Sequence, residues 1–433
     1  MRRRLLLAVV ALAVVLGGAS LGYVLVVREQ GRDVRGSSTV EFVPTALPAP
    51  PPPPPPPPAP RPRKGRKPPP PPPPPPFTWP TYGYVAERVR YAPSIRLRPP
   101  FRRIWRFRAR NLIEFPPVIR GSRLYFSNNS GVLFAIDSRT GKRAWRYRSN
   151  RCVAASPAVE GGTVYQTFLN RPPCNTKRRN LEGELVAFAA GFGKVRWRRR
   201  LGPSESSPLV AGGRLYVGDW RGNVYALDAE TGREHWRFRT GGKIKSGVAL
   251  SGNRLFVGSY DHHVYALDVR TGEQVWRAGA QPRLRKRGTF YSTPAVAYGR
   301  VYIGSTDGKV YSFGAASGKL RWSHGTGGYV YGSPAVWRQR ILVGSYDGRF
   351  YALDAATGDV RWSFRANGPI SGSATVLAGV VYFSTLERRT YALDARTGKE
   401  LWSFPDGKYT PVVADPKRLY LVGYARVYGM VER

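Results

Sequence analysis

Acidic residues are scarce in this sequence. Across 433 residues, 27 Asp and Glu face 69 Lys and Arg, a formal net charge of +42. Cysteine is scarcer still. Two thiols exclude a disulfide-rich scaffold and a cysteine-only zinc site, which needs three or four. Four histidines, two of them the neighbours His262 and His263, leave little for a histidine-based centre, and no metal site is expected. No Ser/His/Asp or Cys/His constellation stands in a supporting context. Beyond residue 100 no amphipathic helical period appears.

What is abundant is arginine, glycine and proline. The positive charge is no tail effect, since residues 1–100 carry a net +11 and residues 101–433 a net +31. Two readings stay open. One is an anionic partner; the other is an arginine-rich genome.

Three arginines at residues 2–4 form a short stub before an uncharged run over 5–27. Those 23 residues suffice to cross a ~30 Å hydrocarbon core and exceed the ~7–15 apolar residues of a cleaved signal. The expectation is a single-pass signal-anchor in the cytoplasmic membrane, stub inside, everything after it outside the cytoplasm. The small residues 17–20 keep cleavage open. A chain outside the cytoplasm is not expected to bind nucleic acid.

Residues 28–100 read as a disordered, basic, proline-rich linker. Two runs of nine prolines, Pro50–Pro58 and Pro68–Pro76, flank a basic knot. Proline runs favour polyproline II, so the expectation is a semi-rigid stalk of roughly 90 Å.

From 101 to 433 the chain is periodic. Tryptophans stand at Trp105, Trp145, Trp197, Trp236, Trp276, Trp322, Trp362 and Trp402, mostly 40 residues apart. Each unit reads as four short strands separated by Gly/Asp turns, as in the run from Gly213 to Trp236. Four-stranded units at this period predict an all-β, eight-bladed β-propeller. The first W strand stands alone and the last unit lacks one, so the N-terminal strand should complete the final blade. The tryptophans are read as structural.

The Ala-Leu-Asp-x-x-Thr-Gly-x-x-x-Trp core, as at Tyr391–Trp402, resembles the PQQ-like propeller repeat over about residues 104–433. Families sharing it include quinoprotein dehydrogenases, the BamB scaffold subunit and extracytoplasmic sensor domains. By resemblance, the enzyme reading implies a quinone and Ca²⁺ held in the channel, the ion bound through a Glu and an Asn, with a nearby Asp as base. The starts of the innermost strands instead offer Ser156, Glu205, Ser207, Ser246, Thr293, Ser333, Ser373 and Thr410, one acid among hydroxyls. Lys243, Lys245 and Lys408 nearby favour an anion over a cation. No cofactor is expected, and a PQQ-dependent dehydrogenase is the alternative.

Propeller topology puts the longest connections on one face. Their basic residues are the candidate binding set: Lys177, Arg178, Arg179, Arg283, Arg285, Lys286 and Arg287, with Lys243, Lys245, Arg388 and Arg389 around them. Cys152 and Cys174 fall on the same face and are expected to pair. The function expected is a non-catalytic propeller scaffold engaging a protein or an anionic envelope partner through this face. A sensor or adhesin for an acidic wall polymer is a further alternative.

Overall fold

The computed structural model describes residues 32–44, 75–174, 181–282, 287–409 and 412–433. Strands are the only regular elements among them, arranged as eight sheets. Numbered along the chain, the blades span 118–148, 158–201, 209–239, 249–279, 295–325, 335–365, 375–404 and 412–432. Phe101–Arg108 pairs antiparallel with Arg426–Glu432 and supplies the outer strand of blade 8, so the ring closes as expected. No helix of the described residues is long and apolar enough to cross a membrane. The expected span over 5–27 lies outside them.

The tryptophan period has a local cause. The indole N–H of Trp236 donates to Val269 O at 3.1 Å, in the Asp-x-x-Thr-Gly turn of the next blade. Trp145, Trp197, Trp276, Trp322 and Trp362 each donate to the corresponding carbonyl of their own neighbour. The turn is tied by its aspartate: Asp228 Oδ1 accepts from Thr231 N at 2.8 Å and Thr231 Oγ1 at 2.7 Å. These bonds hold the Asp228 carboxyl below its usual range. The glycine that follows lies flat under the ring. Gly272 has φ +78°, and a Cβ there would meet the Trp236 ring at 2.6 Å. Gly272→Ala is therefore expected to cost about 2–4 kcal/mol, from backbone strain plus overpacking. Gly252, with φ +56° and open space around it, is the control, and its alanine variant should lose at most about 1–2 kcal/mol. Urea midpoints that moved equally would refute the packing argument.

The linker expectation needs correction. Residues 45–74 lie outside the described residues, but both flanks are ordered on the propeller. Residues 32–44 run along the seam of blades 5 and 6. Val34 bridges Ser323, and Gly325 N donates to Asp33 Oδ1 at 2.7 Å. Further along, Arg300 donates to Ser37 O and Glu41 O, and Val43 N to Tyr298 O at 3.1 Å.

Residues 77–98 enter the central channel and circle it in blade order. Thr78–Trp79 pairs with Ile119–Arg120 of blade 1. The carbonyls of Pro80, Ala86, Glu87, Val89 and Arg90 accept from Val159, Leu250, Val296, Val336 and Val376 of blades 2, 4, 5, 6 and 7, all at 2.8–2.9 Å. Thr81 Oγ1 donates to Pro208 O of blade 3 at 3.0 Å. The segment escapes a disordered reading because it is not polar: Trp79, Tyr84, Val85, Val89, Ile95 and Leu97 are all buried. It satisfies inner-strand N–H groups that would otherwise line an open channel. The proline-rich stretch thus leaves the propeller near Tyr298 and returns near Gly121, so it does not separate the propeller from residue 32.

Two arginines carry this plug. Arg88 and Arg90 are fully buried, with φ of +61° and +58°. Among the described residues, no carboxylate meets Arg88. Its guanidinium donates to Val248 O at 2.8 Å, Ser207 O and Pro208 O at 3.3 Å, Thr81 Oγ1, and Tyr82 O. Burial, then the charge of Arg90, pulls its pKa down to about 9, so it stays protonated at neutral pH. Arg90 lies over the Tyr82 ring at 3.8 Å.

Candidate functional site

Connections between blades and the turns joining strands two and three form the upper face. The Thr-Gly turns form the lower one. The upper face opens onto a funnel at the propeller axis, and Tyr82 of the plug is its floor, bonded to Ser373 Oγ at 2.7 Å. Glu114, Glu205, Lys245, Tyr291 and Tyr331 are among its walls.

Glu205 and Lys245 form the charged base, 3.1 Å apart. Lys245 Nζ also lies 4.7 Å from the Trp220 ring centre, 5.6 Å from Tyr260 and 5.8 Å from Tyr291. Burial raises the Glu205 pKa, and Lys245 opposes the rise. Glu114 is pushed up to about 7, first by burial and then by the charge of Glu205, against a hydrogen bond from Asn129 and the charges of Lys245 and Lys408.

Around the mouth, cations alternate with aromatic rings. Lys243 sits over Trp220 at 5.0 Å. Arg388 lies over Tyr424 at 4.3 Å, and Lys408 lies over the same ring at 5.3 Å. Tyr291, Tyr331, Tyr346 and Tyr329 make a run of edge contacts at 5.1–6.0 Å. Tyr329 is 52% exposed.

Of the predicted binding set, Lys243, Lys245 and Arg388 come to the funnel mouth on two aromatic nests. Arg287 and Arg389 are exposed and have no side-chain partner among the described residues. Lys177, Arg178, Arg179, Arg283, Arg285 and Lys286 lie outside the described residues. Cys152 and Cys174 are joined by a disulfide, Cα atoms 5.7 Å apart. It ties the start of the blade 2 insertion to the connection leading into that blade. The aromatic ring was missed from sequence, although it leaves a signal there. Trp220, Tyr260, Tyr346 and Tyr424 occupy one repeat position, two residues after the second strand's last glycine or its counterpart.

The funnel floor leaves a cavity of about 40 Å³. Cofactor and ligand pockets run to ~300–1,000 Å³, and a water needs ~10–15 Å³ on the same kind of measure. A few waters fit; a tricyclic quinone does not. No group of three or more metal-ligating side chains occurs among the described residues.

Fold and funnel together define an eight-bladed propeller whose axis is closed from below and whose upper mouth is aromatic and cationic. The family described as outer membrane protein assembly factor BamB matches residues 102–170, 181–329 and 325–427. The chain belongs to that family. Among solved structures, BamB from Moraxella catarrhalis is similar with a TM-score of 0.63 and 17% identity, over 77% of this chain and 100% of that one. The quinohemoprotein alcohol dehydrogenase of Comamonas testosteroni reaches 0.69 at 17% identity, over 82% of this chain and 80% of that one. At such identities the likeness is one of fold. The serine/threonine-protein kinase AfsK of Streptomyces griseus is 41% identical over 63 residues, 13% of this chain. The match spans only 8% of that kinase's length.

Proposed function

We propose that the chain is a non-catalytic propeller, tethered to the cytoplasmic membrane by residues 5–27, that presents its upper face to a protein partner outside the cytoplasm. One observation carries this reading: the axis ends in a cavity of about 40 Å³ beneath a broad ring of aromatics and cations. Exposed aromatic side chains, with Arg388 stacked beside them, are enriched at interaction hot spots, and a cavity of that size admits no substrate with a cofactor. Membership of a family described as an assembly factor supports scaffolding over chemistry.

The quinoprotein reading has the fold in its favour, but the residues do not fit it. Lys245 already neutralises Glu205, and Tyr82 fills the space below.

Site-specific photo-crosslinking of the full chain in membranes tests the proposal. A crosslinker at Tyr329 is expected to capture a discrete protein band, and one at Phe192, 87% exposed in the lower-face turn of blade 2, is not. Lys243→Glu with Lys408→Glu should abolish the Tyr329 adduct. Adducts from Phe192 alone would overturn the choice of face. Dye reduction with alcohols after reconstitution with PQQ and Ca²⁺ would overturn the non-catalytic reading.

A further inference from the structure

The outer strands of three consecutive blades are unusually rich in arginine. Phe101–Arg108 of blade 8 reads FRRIWRFR, Arg143–Arg148 of blade 1 reads RAWRYR, and Val195–Leu201 of blade 2 reads VRWRRRL. None of the three strands contains an acid. Between the first two lies a groove of about 480 Å³ whose lining includes Arg108, Arg110, Arg143, Arg146 and Arg148 and no carboxylate. None of these five guanidinium groups has a hydrogen bond or ion pair among the described residues. Phe107 and Phe134 supply apolar walls.

The repeat departs from its own pattern at this seam. In blades 3, 4, 5 and 6 the tyrosine of the third strand donates to a turn aspartate: Tyr225 to Asp219, Tyr265 to Asp261, Tyr311 to Asp307 and Tyr351 to Asp347, at 2.6–2.9 Å. In blade 8, Tyr428 donates to Asp406 at 2.8 Å. In blade 1 the tyrosine is replaced by Phe134, and the turn reads Asn128-Asn129-Ser130. Asn128 keeps the local bonds, accepting from Val132 N at 3.1 Å and from Ser130 Oγ at 3.0 Å, without the charge. The carboxylate that tempers the corresponding seam in blades 3 to 6 is therefore missing where the arginines are densest.

We propose that this seam binds the phosphate groups of an extended phosphate-bearing polymer. Five like charges in one groove repel one another, and an anion of matching charge density relieves that repulsion. Arginine forks pair bidentately with phosphate oxygens. Arg146 and Arg148 stand two residues apart on a strand, ~6.7 Å along its axis, which suits successive charges on an extended chain. The groove is concave between two strands, so a flat bilayer surface would not reach Asn128 and Phe134 at its floor. The groove shares no lining residue with the funnel, although Arg110, Asn128 and Ser130 at its upper end border the upper face, so this proposal stands apart from the partner proposed at the funnel mouth.

The test is fluorescence anisotropy of the full chain with labelled inorganic polyphosphate over a range of salt. Arg146→Ala with Arg148→Ala is expected to weaken binding ~10–30-fold and to flatten the log–log salt dependence by ~1.4, which is ~0.7 per lost phosphate contact. Asn128→Asp with Phe134→Tyr introduces the pair that four other blades carry but gives up the Asn128 Nδ2–Ala109 O hydrogen bond of 2.8 Å, so its urea midpoint should fall modestly while the fold is kept, and it should bind ~5–10-fold more weakly through the added charge. Arg237→Ala with Arg239→Ala, at the seam of blades 2 and 3, should change affinity less than ~3-fold. The proposal is overturned if the three variants lose affinity equally. Equal binding of polyglutamate would overturn the phosphate assignment. Binding of phosphatidylglycerol vesicles but not of the soluble chain would overturn the extended-polymer assignment.

Discussion

A chain beginning at residue 101 is expected not to yield a stable propeller, although it keeps every blade strand and the closing strand. A chain beginning at residue 75 should yield one. The difference is the plug. Six of its apolar side chains are buried, and at ~1.5–3 kcal/mol each their loss rivals the ~5–15 kcal/mol total stability of a typical domain. Removing the plug also strips partners from inner-strand N–H groups in blades 2, 4, 5, 6 and 7. Arg88→Ala isolates one part of this loss. It removes the donors to Val248 O, Ser207 O and Pro208 O and leaves a void, so about 3–5 kcal/mol should be lost. Arg88→Met, which fills the space, should recover only part of it. Coinciding urea or thermal midpoints for the 75–433 and 101–433 chains would show that the ring is self-sufficient.

The same segment shows where sequence reasoning stops. The tryptophans were legible because seven of the eight make the same bond to the same turn of the neighbouring blade, so the constraint recurs every 40 residues or so. The plug touches seven different inner strands, each through its own combination of residues, and a non-repeating set of contacts leaves no period. Its flanking prolines then dominated the composition of 28–100 and hid Trp79, Tyr82 and Val89. At the funnel, Lys243, Lys245 and Arg388 were legible as charge on long connections. The aromatic ring around them was not, because Trp220 and Tyr424 read as turn residues until the ring closes and brings them to one mouth. Four of the five arginines of the blade 8–1 seam lie on strands, where alternation such as that of Arg146 and Arg148 with Trp145 and Tyr147 reads as an ordinary solvated face. Their lack of counter-charge emerges only once Asn128 and Phe134 are set beside the aspartate–tyrosine pairs of the other blades.

Glu114→Gln is expected to stabilise the protein at pH 8 and to change little at pH 4. The Glu114 carboxyl keeps its proton in the folded state up to about pH 7, whereas the unfolded chain releases it near 4.5. Between those values the unfolded state binds fewer protons, so this group makes stability fall as pH rises, and its effect levels off above 7. The full span is worth at most about 3 kcal/mol, reduced by whatever water in the funnel screens the charge. Glutamine removes the penalty while its amide oxygen can still accept the Asn129 hydrogen bond, 3.2 Å long in the wild type. A gain of about 1–3 kcal/mol at pH 8 that vanishes at pH 4 is the expected pattern in urea titrations. An equal gain at both pH values would assign the effect to packing instead. The charge state also reaches the mouth. With Glu205 neutralised by Lys245, protonation of Glu114 leaves Lys243, Lys408 and Arg388 unopposed at the funnel. An acidic partner surface should then be held more tightly at pH 6 than at pH 8, and Glu114→Gln should hold it equally at both.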